Sequence, residues 1–208
     1  MLQFNSEDIE KMDHLYRINL INSCSGYKSA NLIGTKSLGG LENVAIFSSV
    51  THIGSDPQLL GFFLRPTSVF RNTYDNIKET GCYTINHVHE TIIAEAHHTS
   101  AKYPEEISEF DVTKLESEYK NSIQAPFVKN APVQLLMDYV NEYPIKENGT
   151  ILVIGKINSL YIQGGLLEND GFINLSKAKI AAINGLDGYA IPKLKTRFDY
   201  QRPKNNIE

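Results

Sequence analysis

From Arg17 onward the chain is a succession of short apolar or β-branched runs cut by turn-forming residues: Ile18–Ile21, Ala30–Gly34, Val44–Val50, Leu59–Leu64 and Cys82–Val88. Runs of this length bounded by Gly, Asn, Ser and Asp predict a sheet of closely connected strands. Two longer runs, Val133–Tyr143 and Thr150–Ile162, are separated by Lys146-Glu147-Asn148-Gly149. An Asn-Gly pair tolerates positive φ, so these runs predict a hairpin. Helical spacing occurs in three places. Ser6–Tyr16 offers a Ser cap with Ile9, Met12 and Tyr16 in period, Asn72–Thr80 carries Tyr74 and Ile77 and stops at Gly81, and Glu90–His98 aligns Ile92, Ile93 and Ala96. Residues 99–131 are polar and punctuated by proline, and predict an excursion over the sheet. Residues 164–208 carry Gly-Gly, Asp-Gly and Asn-Gly turns and predict a wrap rather than a new domain.

No repeat or linker divides the chain, so one mainly β domain over residues 1–208 is expected, with its core at about 17–163. The strands do not alternate with long helices as a doubly wound sheet requires. A closed or partly closed antiparallel barrel follows, since closure removes exposed strand edges.

Composition narrows the function. With 208 residues, 41% hydrophobic and 21% charged, the chain resembles an ordinary globular protein. The 20 Lys and Arg against 24 Asp and Glu leave a net charge of −4 and no field for a polyanion, so nucleic acid is not an expected partner. The longest apolar stretches, Leu59–Leu64 and Ile151–Ile154, fall short of the roughly 20 residues of a membrane helix. The first residues have neither the positive start nor the apolar region of a secretion signal, and cytoplasmic residence is expected. Cys24 and Cys82 form no C-x-x-C pair and are expected to be small apolar fillers. His87, His89, His97 and His98, with Glu90 and Glu95 between them, lack metal-ligand spacing, and no metal is expected. Gly34-Thr35-Lys36-Ser37 is not a Walker A loop, Gly39-Gly40 reads as a turn, and Ser48, Ser49 and Ser100 lack the G-x-S-x-G setting.

One constellation has more chemical content. Phe47-Ser48-Ser49-Val50-Thr51 ends an apolar strand, and Arg71-Asn72-Thr73 opens the short helix. Together they supply hydroxyl donors, a guanidinium and helix N-terminal N–H groups, the donor set for a phosphate monoester. The same residues also suit a purely structural use, with Ser48 and Ser49 satisfying strand-end backbone groups and Thr73 capping the helix.

The order Asn31-Leu32-Ile33-Gly34-Thr35-Lys36, Asn43-Val44-Ala45-Ile46-Phe47-Ser48-Ser49, Gly54-Ser55-Asp56-Pro57, Arg71-Asn72-Thr73-Tyr74-Asp75-Asn76-Ile77 and Thr80-Gly81-Cys82-Tyr83-Thr84-Ile85-Asn86 resembles the flavin reductase-like, FMN-binding split-barrel family, of flavoredoxin and flavoprotein oxygenase type. The resemblance covers about residues 17–163. It implies a six-stranded antiparallel split β-barrel of Greek-key type with short peripheral helices, and a homodimer holding FMN near the subunit interface. It implies Ser48, Ser49, Arg71 and Thr73 as phosphate contacts with Asn72 in the same segment, and Phe47 and Val50 as contacts to the flavin. Asn86 and the stretch His97-His98-Thr99-Ser100-Ala101-Lys102-Tyr103 resemble further segments lining the site. The implied activity is an oxidoreductase passing electrons from NAD(P)H through FMN to an acceptor the sequence does not name, with no catalytic side chain assigned. Family reductases often carry Gly-Asp-His before the penultimate barrel strand, whereas this chain reads Glu147-Asn148-Gly149-Thr150-Ile151. That departure keeps an FMN-binding or electron-carrier module without nicotinamide turnover as the alternative.

Overall fold

A computed structural model describes residues 1–121 and 123–203. In chain order the elements are α1 (Ser6–Lys11), α2 (His14–Cys24), β1 (Lys28–Ser29), β2 (Asn31–Lys36), β3 (Glu42–Phe47), β4 (Thr51–Ser55), β5 (Gln58–Leu64), α3 (Asn72–Thr80), β6 (Cys82–His87), α4 (Ile93–His98), α5 (Glu109–Val112), β7 (Ser117–Glu118), β8 (Phe127–Val128), β9 (Val133–Ile145), β10 (Thr150–Ile162), β11 (Ala182–Asn184) and β12 (Gly188–Ala190). The main sheet is antiparallel, in the order β3-β2-β6-β9-β10-β5-β4. It holds seven strands where the resemblance implied six; β4, which pairs only with β5, lies just past the predicted Val44–Val50 run.

The strand order shows why the sheet curls. β3 and β4 stand at its two ends, yet only Ser48, Ser49 and Val50 separate them in the chain. Fully extended, the step from Phe47 to Thr51 spans at most about 14 Å. A flat seven-stranded sheet would hold its outer strands about 29 Å apart. The ends must therefore meet, and Ser49 makes the join: its hydroxyl donates to the Phe63 carbonyl at 3.1 Å and accepts from the Phe63 amide at 3.0 Å. One side chain thus continues the β4–β5 ladder beyond the pair Thr51 and Gly61.

Inside the barrel, Ile33, Phe62, Tyr83, Ile85, Met137 and Val153 are essentially inaccessible. Leu32, Val44, Val88, Val128 and Ile183 form a second buried cluster that also takes in Ala96 of α4. β2 contributes to both, so it is buried on two faces and reads as a nearly continuous apolar run. The 99–131 excursion protects the free edge of β3. The Val44 amide donates to Glu109 Oε2 at 3.1 Å and the Ile46 amide to Thr99 Oγ1 at 2.9 Å. Burial pushes the Glu109 carboxyl up, and hydrogen bonds from its own amide and that of Val44 oppose the shift.

Most expected elements are present. Asn72–Thr80 is a helix ended by Gly81 at φ +72, and β9 and β10 form the hairpin, with Gly149 at φ +72 in its turn. The predicted helix at Glu90–His98 opens as a single 3-10 turn before α4. Three expectations are corrected. Ile18–Ile21 is no strand but part of α2, because Asp13 accepts from the Leu15 and Tyr16 amides and starts a new helix there. For the same reason the leading helix is two, broken at Met12. Cys24 is exposed rather than a buried filler.

Two interior features give testable consequences. A register shift places Gly155 against Tyr83, where an added Cβ would lie 2.1 Å from the phenol oxygen. Gly155→Ala is expected to destabilise the fold by about 1–3 kcal/mol. The shift in the urea midpoint measures it, and Tyr83→Phe in the same background should restore part of the loss. At the opposite end of the β6 interior row, His87 faces Asn31 across the strands, and its Nδ1 is buried without a partner. Burial lowers the His87 pKa to about 4, well under the usual 6.5. Between those values the unfolded chain binds the extra proton, so stability falls with acidity there. The contribution lost from pH 7 to pH 5 is about 2 kcal/mol. Urea unfolding at both pH values should show His87→Leu losing that much less stability than the unmodified protein.

Candidate functional site

The site begins at the seam that closes the barrel. Phe47 packs edge-on against Phe62 at 5.1 Å between centroids, and Val50 packs on the same interior cluster. The Val50 carbonyl accepts from Ser29 Oγ at 3.4 Å, and Ser29 Oγ accepts from Asn31 Nδ2 at 2.8 Å. The turn is therefore held from two sides, by β5 through Ser49 and by the β1–β2 segment through Ser29. The single hydroxyl proton of Ser49 is used on Phe63 and is not left for a ligand. The Ser48 hydroxyl makes no hydrogen bond to the described residues, and is the free hydroxyl of the pair.

Arg71 stands in extended backbone at the N-cap of α3, and no side chain caps that helix. Its amide donates to Asp75 Oδ2 at 3.3 Å. Its Nε is buried without a partner, and among the described residues its guanidinium forms no ion pair. The first turn thus offers free amide donors and an arginine without an ion pair, beside the Asp75 carboxylate. Thr73, buried, does not cap the helix; its Oγ1 accepts from Asn43 Nδ2 at 3.0 Å. Asn76 Nδ2 donates to Thr35 Oγ1 at 3.0 Å, so two amides and two threonines pin the start of α3 onto β2 and β3.

The two halves of the predicted constellation are thus fixed to the same strand, but at different heights. Asn43, which holds Thr73, precedes Ser48 by five residues, or about 16 Å of strand. The candidate site therefore runs along β3 from the start of α3 to the seam.

The loop after α4 spans the distance between them. Thr99 ties it to β3 through Ile46, and Asn72 Nδ2 donates to the Glu105 carbonyl at 3.0 Å, tying it to α3. Between these anchors His98 Nε2 contacts the Tyr103 hydroxyl at 2.5 Å, and Ser100 Oγ donates to the His97 carbonyl at 2.7 Å. Ala101 and Lys102 are exposed, and the Lys102 ammonium forms no ion pair with the described residues. His97 turns outward to the Tyr189 hydroxyl at 3.1 Å. Asn86 is fully buried: its Nδ2 donates to the Leu32 carbonyl and Thr84 Oγ1, and its Oδ1 accepts from the Val128 amide. It joins β6 to β2 and β8, and both of its amide protons are used. The sequence reading missed the supporting residues Thr35, Asn43, Asn76, Ser29 and Glu109. The available signal was a polar side chain at a position where strand or helix period calls for an apolar one, since such a group needs a buried partner.

Comparison with known proteins accords with this geometry. The family model for the flavin reductase like domain matches residues 27–176. A crystal structure from Shewanella frigidimarina, described as a flavin reductase with a split barrel domain, is 41% identical, with a TM-score of 0.93 and coverage of 97% of this chain and 100% of that one. Nitrilotriacetate monooxygenase component B from Bacillus cereus is 21% identical, with a TM-score of 0.81 over 96% of this chain and 98% of that one, and shares the fold. An FMN-binding protein from Thermus thermophilus, 14% identical, shares it at a TM-score of 0.71 over 85% of this chain and 93% of that one. With a seam-closed split barrel and a family match over most of its length, the chain belongs to the flavin reductase-like family.

Proposed function

We propose that this protein binds FMN and acts as an oxidoreductase that takes electrons from NAD(P)H and passes them to an acceptor. The observation that carries this reading is the buried, unpartnered Nε of Arg71 at the uncapped start of a nine-residue helix. That donor set fits a phosphate ester better than a neutral ligand. Arg71, with the first-turn amides of Asn72 and Thr73, would hold the phosphate. Ser48 and the backbone of residues 47–50 would meet the rest of the nucleotide, with the exposed Lys102 on the loop that spans the site. When bound, the flavin itself supplies the hydride and electron chemistry. The protein's part is to fix it: the Asn43–Thr73 and Asn76–Thr35 bonds hold the phosphate end, while Ser49 and Ser29 hold the seam. Among the structural neighbours, the Thermus thermophilus protein is described as FMN-binding, in line with this reading.

A second reading rests on the β9–β10 turn. Its residues Lys146, Glu147, Asn148 and Gly149 are exposed and include no imidazole, the group expected there to assist a nicotinamide. An FMN carrier without nicotinamide turnover would need none.

The same reading includes a homodimer and cytoplasmic residence, where a nicotinamide pool is at hand. An outward apolar patch supports the dimer. Phe63, Leu152 and Tyr143 lie in cross-strand register on one outer face, and Phe63 and Tyr143 are exposed there.

Two measurements test the reading. Arg71→Ala should weaken FMN binding by about 1.5–3 kcal/mol, roughly 10- to 150-fold in Kd, and leave riboflavin binding nearly unchanged. Fluorescence titration with both ligands reads this, and an equal loss for both would move the phosphate elsewhere. Mixing the FMN-loaded protein anaerobically with NADH, then NADPH, should bleach the oxidised flavin band; persistence with both donors would establish the carrier.

A further inference from the structure

Two buried polar atoms without partners stand on facing residues of the barrel wall. Asn31 on β2 is directly across from His87 on β6, and both Asn31 Oδ1 and His87 Nδ1 are buried with no hydrogen bond. Side chains paired in this way have their Cβ atoms about 5 Å apart, so one small group can reach both. A buried polar atom ordinarily has a partner, and two orphans side by side point to a shared one.

The pair belongs to the seam. Asn31 is also in register with Phe47 on β3, so Phe47, Asn31 and His87 form one row across the sheet. Asn31 is 1% exposed, whereas Phe47 and His87 on either side of it are half-buried, which sets this row where the barrel interior approaches solvent. Asn31 is also chained to the corner backbone: its Nδ2 donates to Ser29 Oγ at 2.8 Å, and Ser29 Oγ donates to the Val50 carbonyl at 3.4 Å. Ser29 has one hydroxyl proton and spends it on Val50, so it can only accept from Asn31. That fixes the amide with its nitrogen toward Ser29 and leaves its oxygen as the unused acceptor.

The chemistry of the missing partner follows. Burial holds the His87 pKa near 4, so around neutral pH its ring is uncharged and can present Nδ1–H as a donor. A carboxamide oxygen beside such a donor matches a group that carries an N–H next to a C=O. A phosphate dianion has no proton to give the Asn31 oxygen. The imide edge of an isoalloxazine ring has the pattern, an N–H between two carbonyls, and it needs no charged residue to hold it.

We propose that Asn31 and His87 bind the imide edge of the flavin ring, Asn31 Oδ1 accepting from the ring N3–H and His87 Nδ1–H donating to the neighbouring ring carbonyl. The proposal deepens the FMN reading above and rests on it. Fluorescence titration with riboflavin and with N3-methylriboflavin tests it. The unmodified protein is expected to bind riboflavin about tenfold more tightly, because the methyl group removes the donor that Asn31 accepts. In Asn31→Leu the riboflavin affinity should fall by about the same factor and the preference should vanish. Equal affinities in the unmodified protein would overturn the proposal, as would a preference that persists in Asn31→Leu, the outcome if the pair holds only a water molecule. Because Asn31→Leu also releases Ser29, a second readout uses the unmodified protein. The imidazole nitrogen resonances of His87, identified by their loss in His87→Leu, should move when riboflavin is added, and unmoved resonances at saturation would overturn the assignment. If the unmodified protein binds neither FMN nor riboflavin, the FMN reading itself falls, whereas FMN binding without the imide preference removes only this pair's role.

Discussion

The structure depends on a three-residue connection. Because Ser48, Ser49 and Val50 alone separate the two end strands of the main sheet, the sheet has no freedom to lie open. The closure cannot use a regular ladder at the corner, where the chain leaves one neighbour and takes up another. A serine hydroxyl, able to donate and accept at once, stands in for the missing backbone pair.

That constraint places the candidate site. The backbone that bends at the corner is released from continuous strand pairing and so is available to a ligand. Its position is nevertheless held from β5 and from the β1–β2 segment. The far end of the site is held differently, by a buried set of short amides and hydroxyls between α3 and the strands beneath it. Asparagine and threonine serve there because they bond at close range and leave the arginine beside them unpaired. An acidic partner would satisfy Arg71 and remove its capacity for an anion. The loop after α4 completes the arrangement by protecting the edge of β3 and bridging to α3. Edge protection and the bridge to α3 are therefore made by one segment.

Much of this was legible in the residues. Apolar runs of strand length, the Asn148-Gly149 turn and the Gly81 stop predicted the main strands and the helix Asn72–Thr80, because each depends on local period and on φ at one position. Ile18–Ile21 was misread because four apolar residues suit either element, and what decided the outcome was Asp13 capping the turn before them. The strand count differed because the Thr51–Ser55 run is short and largely exposed, and pairs only with its hairpin partner. For the site, the serines and the arginine-led helix were recognisable as an anion donor set, and their ordered motifs carried the family resemblance.

What the residues could not specify was which of their polar groups remain free. Ser49 and Asn86 have the same chemistry as good ligand donors, yet Ser49 spends its hydroxyl proton on Phe63 and Asn86 spends both amide protons within the barrel wall, whereas Thr73, which accepts from Asn43, keeps its hydroxyl proton. Apart from Thr84, those partners lie between 14 and 54 positions away in the chain. The amino-acid order alone determined the strand and helix periods, the barrel class and the inventory of donors, because these follow from neighbours within a few residues. Only the tertiary structure decided that the buried Arg71 Nε has no partner and that Ser49 spends its hydroxyl proton on Phe63, because both depend on which distant groups the closed sheet brings within hydrogen-bonding reach.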